Sequence, residues 1–115
     1  DVIIASGYNV YAADVEAAIL EHPAVREAAV IGINDDYRGE TVKAIISLSA
    51  DAALDLPTLQ TFLKGRLSPI EMPKKLEIMD DIPKNENMKI SKLALRERET
   101  SLNAQVRQSR TVPLT

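Results

Sequence analysis

Residues 25–48, VREAAVIGINDDYRGETVKAIISL, decide the fold. The segment 27–33 is an almost unbroken apolar run, which is typical of a strand that is covered on both faces. In 42–48 every second residue is apolar, and this period of two predicts another strand. The polar residues 34–39 between them predict a loop. Two strands joined by a short polar loop predict an antiparallel hairpin.

The residues before this hairpin predict a short strand, a turn and a helix. The apolar run 2–5 is of β type, and it ends at Ser6 and Gly7, where the glycine permits a tight turn. A helix fits 12–21 and ends before Pro23, because proline disfavours the helical conformation of the residue that precedes it. Its apolar face carries Val15, Ala18, Ile19 and His22 at helical spacing.

The residues after the hairpin predict two more helices and a further strand. Residues 50–56 form a linker, and a proline favours the start of a helix over 57–67. A short strand is predicted over 76–79. The polar loop 80–88 then leads to a last helix over 91–101, which a serine is able to cap.

The complete predicted order is β-α-β-β-α-β-α. Helices mixed with an antiparallel hairpin predict a small α+β domain, in which a central antiparallel sheet of about three strands is flanked by helices. This domain is expected to cover 1–100. The polar residues 101–115 show little periodicity and are expected to form a frayed C-terminal tail.

Composition excludes several classes of site. A chain of 115 residues with 45% hydrophobic and 27% charged residues is typical of one folded domain. It has no cysteine, which excludes disulfides, thiolate metal sites and a cysteine nucleophile, and its one histidine, His22, excludes a histidine metal cluster. Few aromatic residues argue against nucleic-acid stacking. No apolar run is long enough for a transmembrane helix, no secretory leader opens the sequence, and a cytoplasmic protein is expected.

Two isolated features are interpreted as structural. His22 has no serine or cysteine partner and is expected to be a helix-end or core residue instead of a catalyst. The pair Asp35 and Asp36 has no further ligands at suitable spacing, so it is interpreted as a loop and no metal site is predicted.

Charge is unevenly distributed along the chain. Residues 1–60 hold three basic and ten acidic residues, a net charge of −7, whereas 61–115 hold eleven basic and seven acidic residues, a net charge of +4. This asymmetry suggests that the second half meets an anionic partner. A solvated surface of mixed charge remains the alternative on charge alone.

Two segments carry residues that are suited to chemistry. Residues 1–16, DVIIASGYNVYAADVE, contain Gly7, whose backbone a ligand is able to approach because glycine lacks a Cβ. Residues 80–92, DDIPKNENMKISK, form a polar loop, and a loop lysine is able to neutralise phosphate or carboxylate oxygens. The lysines of this loop are Lys84, Lys89 and Lys92. From the residues alone, an ordinary turn and an ordinary solvated loop remain alternatives.

The two segments and the hairpin between them together resemble one known domain. From residue 1 to about 97, in order, the chain is similar to the small C-terminal domain of the adenylate-forming enzymes, the superfamily of acyl-CoA synthetases and luciferases. The resemblance implies a mobile domain of a larger enzyme. The chain opens with Asp1 inside an apolar run, and it is expected to begin just after the hinge of the family.

The resemblance implies a reaction in two steps. A carboxylate attacks the α-phosphate of ATP and gives an acyl-adenylate and pyrophosphate; the small domain then rotates, and a thiol, usually that of CoA, takes the acyl group. ATP and CoA are therefore implied as substrates, together with a small-molecule carboxylate. Mg²⁺ is expected with ATP, bound mainly by a large N-terminal domain, which is the implied partner. No nucleic acid is expected. Such ligases serve, among others, fatty acid metabolism.

Residue roles follow from the resemblance. In IPKNENMKI the catalytic lysine of the family matches Lys89, which would stabilise charge on the carboxylate and α-phosphate oxygens during adenylation. The thioester-forming loop matches the run that starts at Ser6, so Ser6, Gly7, Tyr8 and Asn9 are expected to line the tunnel for the pantetheine arm of CoA. The basic residues Lys74 and Lys75 are expected near the CoA phosphates, an inference from charge.

Departures from the family pattern leave alternatives open. Met88 stands where the family usually has glycine before the catalytic lysine, and it restricts the backbone there. The leading hypothesis is the C-terminal domain of an acyl- or aryl-CoA ligase, inactive when isolated. One alternative is an adenylation enzyme that loads the thiol of a carrier protein. Another is a binding or regulatory module whose lysine site has decayed.

Overall fold

The computed structural model describes residues 1–37 and 39–111, with the side chains of 1–37 and 39–102. Its elements in chain order are β1 (Val2–Ala5), β2 (Tyr8–Tyr11), α1 (Ala12–Leu20), β3 (Val25–Asp35), β4 (Gly39–Leu48), α2 (Leu56–Leu63), β5 (Lys75–Ile78) and α3 (Lys92–Thr111). The chain divides into two compact units, the first Asp1–Ile82 and the second starting at Pro83. The predicted α+β class is confirmed.

The hairpin of β3 and β4 is the longest pairing in the sheet. The strands run antiparallel, from Val25 opposite Leu48 to Asp35 opposite Gly39, with a bulge after Val25. Buried residues follow one another without interruption over 28–31 in β3 and 41–47 in β4, and since successive side chains point to opposite faces, both faces of the hairpin are covered. The hairpin predicted from residues 25–48 is therefore confirmed, and its strands extend further than the periodicity indicated.

The sequence missed β2, because its four residues were interpreted as part of the turn that leads to the first helix. β1 and β2 form a hairpin of their own, in which Ala5 lies opposite Tyr8 and Val2 opposite Tyr11. Ser6 and Gly7 connect them with φ values of 52° and 82°. Two successive residues with positive φ make the type of two-residue turn that matches the twist of paired strands.

The sheet has five strands, where about three were predicted. Its main path runs β2-β1-β4-β3, and all of these pairs are antiparallel. The fifth strand, β5, pairs with β4 in parallel, from Lys43 opposite Lys75 to Ile46 opposite Ile78. Among the described residues, the backbone pairing of β1 with β4 consists of Ala5 opposite Gly39. Since β3 occupies one edge of β4 throughout, β1 and β5 share the other edge.

Two helices cover one face of the sheet in the first unit. α1 packs on β3 and contacts α2, and its buried residues confirm the apolar face predicted from Val15, Ala18 and Ile19. α2 begins after Asp55, whose side chain accepts the Thr58 N–H at 2.9 Å. A hydrogen bond from the Thr58 side chain, and next the bond from its backbone N–H, lower the pKa of the Asp55 carboxyl. The helix buries its apolar stripe at Leu59 and Leu63 against the same core.

α2 is shorter than the predicted span 57–67. Lys64 leaves the helical conformation with a ψ of 131°, and Gly65 follows with a φ of 85°. A positive φ favours glycine, so this residue ends the helix. The apolar residues that follow, Leu67 among them, pack against the core from a turn instead of from the helix.

Lys43 departs from the simple alternation of apolar and polar residues in β4. Its side chain is buried, and its Nζ lies 3.0 Å from a carboxylate oxygen of Glu77 on β5. A buried ammonium needs such a partner, since desolvation without one is costly. The ion pair therefore links the two strands that run in parallel.

α3 begins at Lys92, one residue later than predicted, and extends to Thr111 instead of ending near 101. The frayed tail and the domain boundary at residue 100 stay predictions, and 112–115 lie outside the described residues. Over the part of the chain that the structure describes, no helix has the length and apolar character needed to cross a membrane.

Candidate functional site

The turn between β1 and β2 presents the four residues predicted to contact CoA. Ser6, Gly7, Tyr8 and Asn9 form one continuous exposed run, whereas the flanking Ala5 and Val10 are buried. The buried neighbours anchor the turn on the core. A Cβ added to Gly7 would meet nothing within 4 Å. A ligand therefore has open access to the backbone at this turn.

Lys74 lines the same cavity as Ser6 of this turn. Its backbone N–H donates to the Val42 carbonyl at 2.9 Å, which holds it beside β4. Its side chain and Ser6 line one cavity of about 140 Å³, together with Thr41, Val42, Pro69 and other neighbours. The structure thus brings together two residues that the sequence related only through a resemblance and through charge.

A second cavity, of about 380 Å³, shares the lining residues Pro69 and Lys74 with the first. It is largely apolar, and its lining includes Lys64, Gly65, Met72 and Lys74. Lys75 lines neither of these two cavities and is exposed at the start of β5. Lys64 was not predicted as a site residue. The sequence offered one signal for Lys64: it stands directly before Gly65, and a glycine there indicates a turn at the end of the helix.

The loop that carries Lys89 is a tight turn closed around Asn85. The Asn85 side-chain oxygen accepts the N–H groups of Asn87 and Lys89 at 2.8 and 3.1 Å. The Asn85 N–H donates to the Lys89 carbonyl at 2.7 Å, and the Met88 N–H donates to the Asn85 carbonyl at 3.0 Å. These bonds fix the backbone on both sides of the lysine, a role of Asn85 that sequence reasoning missed.

Met88 takes the backbone conformation that glycine favours. Its φ is 63°, and its side chain is 77% exposed. The methionine therefore stands in the left-handed region without losing the hydrogen bonds of the loop. The absence of glycine before Lys89 costs conformational energy but leaves the turn intact.

Lys89 is exposed at the end of this turn. Within the residues that the structure describes, its Nζ makes no hydrogen bond and no ion pair. The backbone of the lysine is thus held by Asn85 while its ammonium group is available to an anion. A flexible ammonium on a fixed base suits neutralisation of phosphate or carboxylate oxygens.

The predicted site residues divide between the two units. The β1–β2 turn, Lys74 and Lys75 belong to the first unit, and Lys89 belongs to the second. The first group has a turn and a lysine beside a cavity, and the second has a single lysine on a braced loop.

The two features interpreted as structural have local partners. The Nδ1 atom of His22 accepts the Ala24 N–H at 3.0 Å, and its ring meets that of Phe62 edge-on at 4.7 Å. Asp35 accepts the Tyr37 N–H at 2.8 Å, as in a turn. Among the described residues, no three histidine, cysteine or acidic side chains gather closely enough to hold a metal ion.

Comparison with known proteins gives a consistent result. Relatives include the long-chain-fatty-acid–CoA ligase of Bacillus subtilis, 45% identical over 100 residues, and the human mitochondrial acyl-coenzyme A synthetase ACSM1, 43% identical over 105 residues. Each alignment covers 87% of this chain and 18% of the relative. The chain therefore spans less than a fifth of the length of these curated relatives.

Solved structures agree with these relatives. The acyl-CoA synthetase of Brucella canis matches with a TM-score of 0.84 and 37% identity, over 90% of this chain and 20% of that one. The o-succinylbenzoate CoA synthetase of Bacillus subtilis, solved with an acyl-adenylate intermediate, matches with a TM-score of 0.73 and 36% identity, over 78% of this chain and 18% of that one.

A protein-family match covers most of the chain after the β1–β2 hairpin. Residues 14–89 match the family described as the AMP-binding enzyme C-terminal domain. This range includes the central hairpin and ends on Lys89. Since it spans more than half of the sequence, the chain belongs to the AMP-binding enzyme C-terminal domain family.

Proposed function

We propose that this chain is the mobile C-terminal domain of an ATP-dependent, AMP-forming acyl- or aryl-CoA ligase. The observation that carries the proposal is the loop at Lys89, which holds the lysine backbone through Asn85 and leaves the ammonium unpaired within the described residues. The long-chain-fatty-acid–CoA ligase and the o-succinylbenzoate CoA synthetase named above, the second solved with an acyl-adenylate, support this class of reaction.

In the first step, a carboxylate oxygen attacks the α-phosphorus of ATP, and pyrophosphate leaves. Negative charge increases on the oxygens around the phosphorus as the new bond forms. Lys89 would place its ammonium group against the carboxylate and the α-phosphate oxygens and stabilise that charge. The lysine transfers no proton in this step. It acts by position and charge.

In the second step, the thiol of CoA loses its proton to solvent and its sulfur attacks the acyl carbonyl carbon; the bond from that carbon to the phosphate oxygen breaks, and AMP leaves. The β1–β2 turn would line the tunnel of the pantetheine arm, where the open side of Gly7 admits a close backbone approach. Rotation of the domain would move the loop of Lys89 out of the active site of the full-length ligase and bring this turn into it. Lys74, beside the turn, and Lys75 would face the phosphates of CoA.

The proposal includes a large N-terminal domain that holds ATP and the carboxylate, and a cytoplasmic location. Mg²⁺ would accompany ATP. The large domain would hold most of its ligands, and among the described residues no three histidine, cysteine or acidic side chains lie close enough to bind a metal ion.

The experiment uses the full-length ligase and two separate assays. We expect Lys89→Ala to lower adenylate formation about a hundredfold or more, because a positioned charge at the reacting phosphate is lost. Thioester formation from preformed adenylate is expected to change less than about threefold.

A matched control removes the positive charge of another lysine from the same loop. Lys84→Ala is expected to keep adenylate formation near the unmodified level. If Lys89→Ala leaves both steps unchanged in an active enzyme, the role assigned to Lys89 is wrong. If Lys84→Ala abolishes adenylation equally, charge or folding of the whole loop matters instead of the specific lysine.

A further inference from the structure

Glu40 connects the β1–β2 hairpin to the rest of the sheet. It is the second residue of β4, and its Oε1 accepts the N–H of Ile4 on β1 at 2.8 Å. The two residues are 36 positions apart in the sequence. A side-chain carboxylate therefore bonds to the backbone of the strand that leads into the exposed turn.

This contact lies where backbone pairing between the strands is sparse. Among the described residues, β1 and β4 share one pair of opposed residues, Ala5 and Gly39. In the hydrogen-bonded path of the sheet, β2-β1-β4-β3, this hairpin is paired to the central strands through β1, while its side chains Ile3, Ala5 and Val10 pack in the core. The Glu40 carboxylate adds a side-chain hydrogen bond where this backbone pairing is short.

Gly32 on β3 makes room for the carboxylate. A Cβ at this position would lie 2.7 Å from Oε2 and 3.0 Å from Cδ of Glu40, and 3.0 Å from a methyl group of Ile3. Distances this short force one of the groups to move. A glycine, with no side chain, thus leaves the space in which the carboxylate meets β1.

We propose that Glu40 is a positioning residue for the thiol-transfer step. By holding Ile4, two residues before Ser6, it keeps the β1–β2 turn in place on the central sheet. This inference rests on the proposed function, in which that turn lines the pantetheine tunnel. Glu40 itself touches no substrate and acts through the backbone of β1.

The kinetic test uses full-length enzyme and preformed acyl-adenylate. Glu40→Ala removes the acceptor and is expected to raise KM for CoA about tenfold, with adenylate formation unchanged within about twofold. Glu40→Gln keeps an oxygen acceptor at the same reach and is expected to restore KM to within about threefold. Equal defects in both half-reactions would overturn the inference, because they indicate a general loss of structure.

Tyr8→Ala separates this inference from the proposed function. It alters the exposed first residue of β2, directly after the turn, and is expected to slow thiol transfer. If Tyr8→Ala slows transfer and Glu40→Ala does not, the role of Glu40 is wrong and the proposed function stands. If neither variant affects transfer in an active enzyme, the role assigned to the turn fails.

A structural measurement tests the contact without relying on activity. Amide hydrogen exchange at Ile4 is expected to accelerate about tenfold in Glu40→Ala and to stay near the original rate in Glu40→Gln. Gly32→Ala is expected to mimic Glu40→Ala and to add little to it when both are combined. Unchanged exchange at Ile4 in Glu40→Ala would overturn the contact, even if Gly32→Ala fails to fold.

Discussion

Met88 shows how one residue is able to occupy a glycine position. In the left-handed region the Cβ of an ordinary residue crowds the backbone, at a cost of roughly 1–2 kcal/mol. Met88 accepts this cost at a φ of 63°. Its side chain is exposed, so packing offers no obvious compensation, and the hydrogen bonds around Asn85 maintain the turn instead.

Two replacements of Met88, by glycine and by valine, are therefore expected to change the free energy of unfolding in opposite directions. Met88→Gly removes the crowding and should raise the free energy of unfolding by about 0.5–1 kcal/mol, after the entropy of glycine is subtracted. Met88→Val, which puts a β-branched side chain in the same conformation, should lower it by about 1 kcal/mol. Urea denaturation of both variants measures these changes.

Activity gives the second measurement on Met88. If the turn tolerates methionine as the structure indicates, Met88→Gly should leave adenylate formation in the full-length ligase within about threefold of the unmodified rate. A much larger loss would show that the methionine side chain takes part in binding. A drop in stability in Met88→Gly would show that the left-handed conformation is not a burden on the fold.

Sequence and structure contribute different residues to the site. Lys89 and the residues of the β1–β2 turn become candidates from the sequence because they lie in contiguous, recognisable segments, and their roles stay predictions. Asn85 and Glu40 do not, since their roles depend on which backbone N–H group their side chains reach. For Glu40 that group belongs to a strand 36 residues away, and no local pattern indicates it.

At the scale of elements, Lys74 and Lys75 stand next to each other in the sequence but have different surroundings. Lys74 precedes β5 and lines both cavities, of which the smaller also includes Ser6 of the β1–β2 turn, whereas Lys75 is the first residue of β5 and lines neither. Successive residues of an extended chain point in opposite directions. The start of β5 thus separates two lysines that the sequence treated as a pair.

We therefore expect Lys74→Ala to weaken CoA use more than Lys75→Ala. For Lys74→Ala, KM for CoA in the full-length ligase should rise about fivefold, because a charge near the phosphates is lost; for Lys75→Ala it should rise less than about twofold. Both effects should shrink at high ionic strength, since salt screens exposed charges. The reverse order would place the CoA phosphates beside Lys75.

The lengths and pairing partners of the strands explain why the sheet was only partly predictable from the sequence. Periodicity predicted the hairpin of β3 and β4 because long strands repeat their pattern several times. β2 has four residues and follows β1 after two, so no period was visible. The parallel pairing of β5 depends on a partner about thirty residues earlier, and the pair of Lys43 and Glu77 appears only once the strands are adjacent.

At the scale of the whole molecule, the chain carries two groups of candidate site residues and spans less than a fifth of the length of the curated relatives named above. Its curated relatives are about five times as long, and it aligns with only 18% of each. Lys89 is exposed, and so are the residues of the β1–β2 turn. In the chain alone, both groups face water instead of a closed site.

Residues 1–115 alone are therefore expected to catalyse no exchange of pyrophosphate into ATP in the presence of a carboxylate. An ammonium 4 Å from an anion in bulk water gains only about 1 kcal/mol. Enzymes lower their barriers by about 8–23 kcal/mol, which needs a desolvated and preorganised site. The full-length ligase at the same concentration is the positive control. Exchange by the purified chain that disappears in Lys89→Ala would show that the ATP site lies within these 115 residues, and the proposed division of labour between two domains would then be wrong.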